Sequence, residues 1–315
     1  MPACRSCGSH RAQFRGRKRG KYLRRDFDFY KCGDCGLLFV EPFSGFEIYD
    51  DAYYRGEGAD PSVDYETEYR DWRATQRQLE FEDLARIAEE FMAGPGLAHV
   101  SAPPDSVEWL DFGCGAGGFL KYLRERGSIS GRGLVLAGHD VGHYADLLEK
   151  SDGFRILSLE GLARERDDRY DVISMVEVAE HLPNVSAAMA TIARILKPGG
   201  LLLLTTGNMG GAIPRIQGIN YDYCLPEVHV SLFDPASLSN LYRRHGLQPY
   251  RVRYDGAVRF KVLKALGEQG LAARIARSAL KFPPVRRAID LLYGVSAMPC
   301  AVKPGSESMR EAQVV

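Results

Sequence analysis

A glycine-dense loop between a strand-like run and a helix-like run constrains this chain more than any other feature. Val107-Glu108-Trp109-Leu110-Asp111-Phe112 has the apolar and aromatic content of a buried strand, and Gly113-Cys114-Gly115-Ala116-Gly117-Gly118 turns it into a helix beginning near Phe119. A strand, a glycine turn and a helix in that order make the first unit of a doubly wound α/β sheet. The break Ala102-Pro103-Pro104 separates the unit from what precedes it. Gly113, Gly115 and Gly118 satisfy the dinucleotide pattern GxGxxG, and Asp140 lies 22 residues past Gly118, where a ribose-binding acid belongs. Spacing alone therefore leaves the ligand open.

Charge narrows it. Asp111 stands at the end of the strand, immediately before the glycines. A pyrophosphate there would meet its repulsion at close range in a partly desolvated site. S-adenosylmethionine carries an ammonium and a sulfonium and no phosphate, so the same acid favours it, and the glycines let the backbone approach its methionine end. Asp140, following Leu134-Val135-Leu136-Ala137-Gly138, would accept both ribose hydroxyls. The plainer reading of Asp111, an acid favoured by a helix N-terminus, explains the charge but not the rest of the chain.

The alternation continues. Phe154–Leu159 reads as a third strand and Tyr170–Val176 as a fourth, with a helix from about Ser186 that ends at Leu196-Lys197-Pro198-Gly199-Gly200 and a fifth strand over Leu201–Thr205. The segments LDFGCGAGGFL, YDVISMVEVAEHLPN and ARILKPGGLLLLTT resemble the successive motifs of class I S-adenosylmethionine-dependent methyltransferases that act on small molecules. The resemblance covers roughly residues 106 to 304. It implies a doubly wound, seven-stranded Rossmann-like sheet. It also implies cofactor contacts at Asp111, Gly113, Gly115, Gly117 and Asp140, adenine contacts near Leu159 and Glu160, and methionine-side contacts around Val176. Ser296–Pro304 resembles the reversed last strand of that fold, following a sixth strand near 248–254, with residues 262–293 as a helical insertion before it.

Ahead of the core, Cys4-Arg-Ser-Cys7-Gly8 and Cys32-Gly-Asp-Cys35-Gly36 are two CxxCG turns separated by 24 residues. Two-residue spacing lets both thiolates of a turn face one metal, and four thiolates make the closed tetrahedral shell of structural zinc, with no open position for chemistry. Residues 1–45 thus read as a zinc ribbon closed by a hairpin. Residues 46–105 read as an aromatic, acidic lid and helix leading to the core, and 305–315 as a disordered tail. The ribbon followed by EPFSGFEIYDDAYY also resembles the N-terminal part of bacterial family members found with surface-polysaccharide and natural-product sugar pathways.

Methyl transfer from a sulfonium needs alignment more than acid catalysis, and a hydroxyl acceptor also wants a base. Candidate acids and bases are Glu177, Glu180, His181, Tyr221, Tyr223 and His229. The segment Tyr221–Phe233 resembles the loop that closes over the acceptor in this family. In related sugar C-methyltransferases a base histidine directly follows a glutamate. Val228 occupies that place before His229, which points to O-methylation of a sugar or natural-product intermediate. His181 is the second catalytic candidate, although the resemblance also suits Glu180 and His181 as architecture that caps and packs the next helix.

Lys+Arg and Asp+Glu balance at 41 each, so no global field selects a polyanion. The charge is nevertheless segregated: residues 11–25 hold eight basic side chains and no acid, and residues 41–90 hold 15 acids against five arginines. The basic hairpin admits an RNA methyltransferase as a rival reading. The basic helices of the insertion, through Arg274, Arg277, Lys281, Arg286 and Arg287, admit contact with a lipid-linked acceptor. A protein that binds the cofactor and recruits a partner without catalysis is a third reading. The start MPACRSCG lacks an apolar signal and no run of about 18 apolar residues occurs, which predicts a cytoplasmic protein.

Overall fold

A computed structural model of the chain describes residues 1–60, 64–75, 77–94, 106–252, 284, 285, 288, 292 and 298–305. In chain order the strands and helices are β1 (Ala12–Arg19), β2 (Asp26–Cys32), β3 (Leu38–Glu41), α1 (Asp51–Tyr54), α2 (Tyr65–Arg70), α3 (Gln78–Ala93), β4 (Ser106–Phe112), α4 (Gly118–Arg126), β5 (Ser128–Ile129), β6 (Arg132–His139), α5 (Tyr144–Lys150) and β7 (Arg155–Leu157). They continue as α6 (Leu159–Arg164), β8 (Tyr170–Val176), α7 (Val185–Ile195), β9 (Leu196–Thr205), α8 (Ala212–Gln217), β10 (Ser231–Leu232), α9 (Pro235–Arg244), β11 (Gln248–Tyr250) and β12 (Cys300–Val302).

The larger sheet runs β11-β12-β9-β8-β4-β6-β5, with β7 beside β6. Its centre is parallel: β9, β8, β4, β6 and β7 pair in that sense. The reversed strand is β12, antiparallel to both β9 and β11. This is the expected doubly wound sheet, with the two-residue β5 added at β6. Every residue of β8 is buried, as its unbroken YDVISMV run requires of a strand covered on both faces.

Two local expectations shift. The third strand stops at Leu157, because the Ser158 side chain accepts from Gly161 N (3.1 Å) and caps α6, so Leu159 opens a helix. The cap of α7 is Asn184, which accepts from Ala187 N at 3.1 Å, and not Glu180 or His181. Those two side chains are thereby released for another use. The helices expected over 262–293 and the tail past Gly305 fall, apart from single positions, outside the described residues.

The ribbon is built into the core. β1 and β2 form the hairpin, β3 adds to β2, and β10 closes this second sheet by pairing with β3. Phe27 and Phe29 of β2 do not serve a private ribbon core: with Leu38 and Val40 they pack against Tyr221, Cys224 and Leu232. Polar ties reinforce the seam. Lys18 Nζ donates to the carbonyls of Ile219 (3.2 Å) and Cys224 (2.7 Å), and Arg5 of the first knuckle donates to the carbonyls of Pro183 (3.2 Å) and Val40 (2.8 Å).

The hairpin tip is held by one carboxylate. Backbone N–H groups of Lys21, Tyr22 and Leu23 donate to buried Glu227 at 3.1, 2.8 and 2.6 Å. Glu227→Ala should leave three amides unpaired and destabilise the fold by about 2–3 kcal/mol, read as a lower urea midpoint. A midpoint equal to wild type would remove Glu227 as the latch between tip and loop.

Candidate active site

Three glycines shape the loop after β4. Gly113, Gly115 and Gly117 adopt φ of 79°, 52° and 77°, a left-handed backbone that side-chain-bearing residues adopt at a cost. A Cβ at Gly115 would stand 2.8 Å from Cε1 of Tyr65, and side chains at Gly113 and Gly117 would run into Val178 and Leu148. The loop is therefore closed tightly between helix α2, the segment after β8, and α5.

Asp111 lies under this loop, 3% exposed. Ser174 Oγ donates to its Oδ1 at 2.6 Å, and Trp109 Nε1 donates to Ser174 Oγ at 3.0 Å. Burial pushes its carboxyl up to about 7 against these stabilising contacts, and the neighbouring carboxylates Glu68 and Asp140 push the same way. Arg77, the basic group that acts on it, is also shared with Glu68 (3.7 Å) and Glu80 (3.5 Å). The pocket, lined among others by Tyr65, Glu68, Arg77, Asp111, Gly115 and Val176, thus presents several acids to one arginine. Such a field repels a pyrophosphate and welcomes a cationic cofactor. S-adenosylmethionine fits this donor set; a dinucleotide does not.

The other expected cofactor residues are placed unequally. Asp140 sits at the C-terminal end of β6, where its Oδ2 accepts from Gly115 N (2.8 Å) and its Oδ1 from Gly142 N (2.6 Å), bracing the glycine loop. Val176 ends β8 on the pocket wall. Leu159 and Glu160 lie in the first turn of α6, Leu159 64% exposed and Glu160 turned to Arg164 at 3.7 Å. Glu68 and Arg77 carry no spacing relation to the loop, and only the fold of the segment before β4 brings them to it.

Beyond β8 and β9 the chain gathers a second polar group. Glu177 takes a left-handed φ of 53°, which costs about 1–2 kcal/mol for a residue with a side chain. Its carboxylate and that of fully buried Glu180 face one hydroxyl: Tyr223 lies 3.3 Å from Glu177 and hydrogen-bonds Glu180 closely. Thr206 Oγ1 donates to the other Glu180 oxygen at 2.9 Å. Burial, then Glu180, drives the Glu177 carboxyl well above the usual range.

The rings of His181 and His229 meet edge to face with centroids 4.9 Å apart, and Tyr223 packs 4.2 Å from His229. His229 Nδ1 lies 2.7 Å from the Tyr223 carbonyl, and His181 Nδ1 lies 3.1 Å from the Val228 carbonyl and 3.2 Å from the Tyr49 hydroxyl. A carbonyl can only accept, so Nδ1 of each ring carries the proton and Nε2 the lone pair. Burial lowers both imidazoles, His181 to about 4. Of the six candidate acids and bases, five meet here; Tyr221 lies instead in the ribbon seam. Asp60, which no local pattern marks, approaches His229 Nε2 at 4.0 Å.

The four ribbon cysteines converge, none in a disulfide. Cys4 and Cys35 sulfurs are 3.5 Å apart and those of Cys7 and Cys32 3.6 Å. Sulfurs bound at about 2.3 Å around a tetrahedral zinc stand roughly 3.8 Å from one another, so the cluster has the size and the ligands of a structural zinc site. Three of the eight basic side chains of residues 11–25 meet acids of the ribbon, with Arg11–Asp34 at 2.8 Å, Arg17–Asp28 at 2.6 Å and Arg19–Asp26 at 3.8 Å. Among the described residues no helix is long and apolar enough to cross a membrane.

Residues 68–252 match the model of a family described as a methyltransferase domain. Among curated proteins, the ubiquinone biosynthesis O-methyltransferase of Xanthomonas axonopodis pv. citri is 32% identical over 164 residues, covering 48% of this chain and 68% of that protein. The protein of the same name from Thiobacillus denitrificans is 28% identical over 161 residues, covering 47% and 67%. The match thus spans about two thirds of each relative's length. Among solved structures, a Haloferax volcanii complex that contains the Trm112 methyltransferase activator is 17% identical with a TM-score of 0.43, covering 76% of this chain and 97% of that one.

Proposed function

The chain belongs to the methyltransferase-domain family, and from that premise we propose that it O-methylates a hydroxyl of a small molecule, a sugar or natural-product intermediate, using S-adenosylmethionine. The observation that carries this reading is the grouping of Glu177, Glu180, His181, Tyr223 and His229 directly after Val176, where a strand of the cofactor pocket ends. Bound S-adenosylmethionine supplies an electrophilic methyl on sulfur. Asp111 would hold the methionine end and Asp140 the ribose, with Leu159 and Glu160 beside the adenine.

At the acceptor end, this chain has to orient a hydroxyl and remove its proton. His229, with Nδ1 tied to the Tyr223 carbonyl, presents an Nε2 lone pair to take it. His181, tied to the Val228 carbonyl, is the second such group. Glu180 and Thr206 fix Tyr223 against the cluster. The relatives named O-methyltransferases point to the same acceptor atom, and a donor-rich, acceptor-rich wall suits a hydroxylated ligand better than an apolar one.

The test is release of S-adenosylhomocysteine when the purified chain meets S-adenosylmethionine and a panel of hydroxylated sugars, nucleotide sugars and phenols. His229→Ala should keep cofactor affinity and lower kcat by about 10²- to 10⁴-fold. Wild-type kcat in that variant, on an acceptor that turns over, would remove His229 from the chemistry.

A further inference from the structure

Basic side chains that meet no acid collect at one place on the ribbon. Arg11, Arg17 and Arg19 are answered by Asp34, Asp28 and Asp26, and Lys18 is spent on backbone carbonyls. At the hairpin tip Lys21, Arg24 and Arg25 are exposed, and among the described residues no carboxylate oxygen lies within 4.0 Å of their charged nitrogens. The acids beside the tip are committed: Glu227 to the three tip amides, and Asp50 to the Tyr22 hydroxyl (3.1 Å) and the Tyr53 N–H (2.9 Å). Arg24 takes a left-handed φ of 57°, a turn position that glycine or asparagine fills at less cost. Arg25 lies over the Phe27 ring, 4.9 Å from its centroid, and donates to the Phe43 carbonyl at 3.4 Å. The tip is tied to the acceptor cluster twice. Glu227 stands two residues before His229, at most about 7 Å of chain, and Asp50 follows Tyr49, whose hydroxyl lies 3.2 Å from His181 Nδ1.

We propose that Lys21, Arg24 and Arg25 form an anion site for a phosphate or diphosphate carried by the acceptor, which holds the molecule by its charged end while a hydroxyl reaches His229. Ammonium and guanidinium donors on one exposed turn are the groups that grip phosphate oxygens. Inside the cluster Glu180 accepts from Tyr223 and Thr206, so a negative group is repelled there and drawn to the tip. That difference orients the acceptor. Three cations on one turn suit one or two phosphates, whereas a polynucleotide needs a longer basic track. A nucleoside diphosphate and a lipid diphosphate share the required chemistry. The inference rests on reading the cluster of His181, Tyr223 and His229 as the acceptor end, and it adds the class of acceptor: one that is phosphorylated or diphosphate-linked.

The probes are inorganic pyrophosphate, uridine diphosphate and a short-chain prenyl diphosphate, titrated into the zinc-loaded full chain saturated with S-adenosylhomocysteine. Pyrophosphate should bind saturably and more weakly as salt is raised. The double variant Lys21→Gln with Arg24→Asn should weaken it by at least about tenfold; asparagine keeps the left-handed turn, and an unchanged urea midpoint checks the fold. Tighter binding of uridine diphosphate than of pyrophosphate supports a nucleotide-linked acceptor, and tighter binding of the prenyl diphosphate a lipid-linked one. Absence of saturable pyrophosphate binding at low salt, or binding indifferent to the double variant, overturns the proposal, as does a single-stranded RNA that outcompetes all three probes. With an acceptor that turns over, the phosphorylated form should show a KM lower by at least about tenfold, and the double variant should raise that KM more than it lowers kcat. Equal KM for the two forms overturns the anion site and leaves O-methylation standing. Pyrophosphate bound at the tip without turnover of any hydroxylated acceptor keeps the anion site and removes O-methylation.

Discussion

Replacing Asp111 with alanine is expected to abolish S-adenosylmethionine binding, with an affinity loss of about 2–5 kcal/mol, roughly 30-fold to several thousand-fold. The carboxylate is buried beneath the glycine loop and faces more acids than bases, so a cationic ligand gains a partner at the foot of the loop. The fold should survive, because Ser174 Oγ lies 3.5 Å from the Leu110 carbonyl and can donate there instead. The same burial predicts a stability signature. The folded carboxyl sits at about 7, raised from 3.8, so its contribution is fully present below about pH 4 and is lost as pH rises through 7. Cofactor-free Asp111→Asn, which cannot ionise, should therefore melt above the wild type at pH 8, with the difference vanishing near pH 4. Titration calorimetry checks the first effect and thermal denaturation across pH the second. Equal cofactor affinity in Asp111→Ala and wild type would sink the assignment of this loop.

Breaking the ribbon should give the opposite pattern. In Cys35→Ser, turnover is expected to fall by about 10²-fold or more, while S-adenosylmethionine affinity stays within about threefold. Metal affinity is folding energy for so small a module, and the module ends in the acceptor loop: β3 pairs with β10, Phe27 and Phe29 pack on Tyr221 and Cys224, and Glu227 holds the hairpin tip. A loosened 221–232 segment misplaces His229, whereas Asp111 belongs to β4 and Gly113 and Gly115 to the turn between β4 and α4. Loss of cofactor binding together with turnover would mean that the ribbon supports the whole fold and not the acceptor wall.

Much of the core was legible because its signals are local. Unbroken apolar runs such as Tyr170–Val176 fix buried strands, and Asp111 before four glycines favours a cation over a phosphate whatever the rest of the chain does. Leu159 shows where such reading stops: the apolar run Phe154–Leu159 continues past the strand, but the Ser158 cap ends it at Leu157. The motif-like pair Glu180-His181 could have served a helix end, but Asn184, a favoured N-cap type directly before α7, takes that duty.

By itself the sequence determined the glycine turn, the acid beneath it, the four zinc-ready cysteines and the alternation of a doubly wound sheet, all set by neighbours within a few residues or by short repeated spacings. Only the tertiary structure decided that the ribbon packs on the core, that Glu68 and Arg77 reach the pocket beside Asp111 and Gly115, and that Asp60, His181 and His229 meet. Those encounters join residues from 34 positions apart, Arg77 and Asp111, to 205 apart, Phe27 and Leu232. Their geometry comes from sheet pairing and buried seams between distant segments, for which no local spacing leaves a mark.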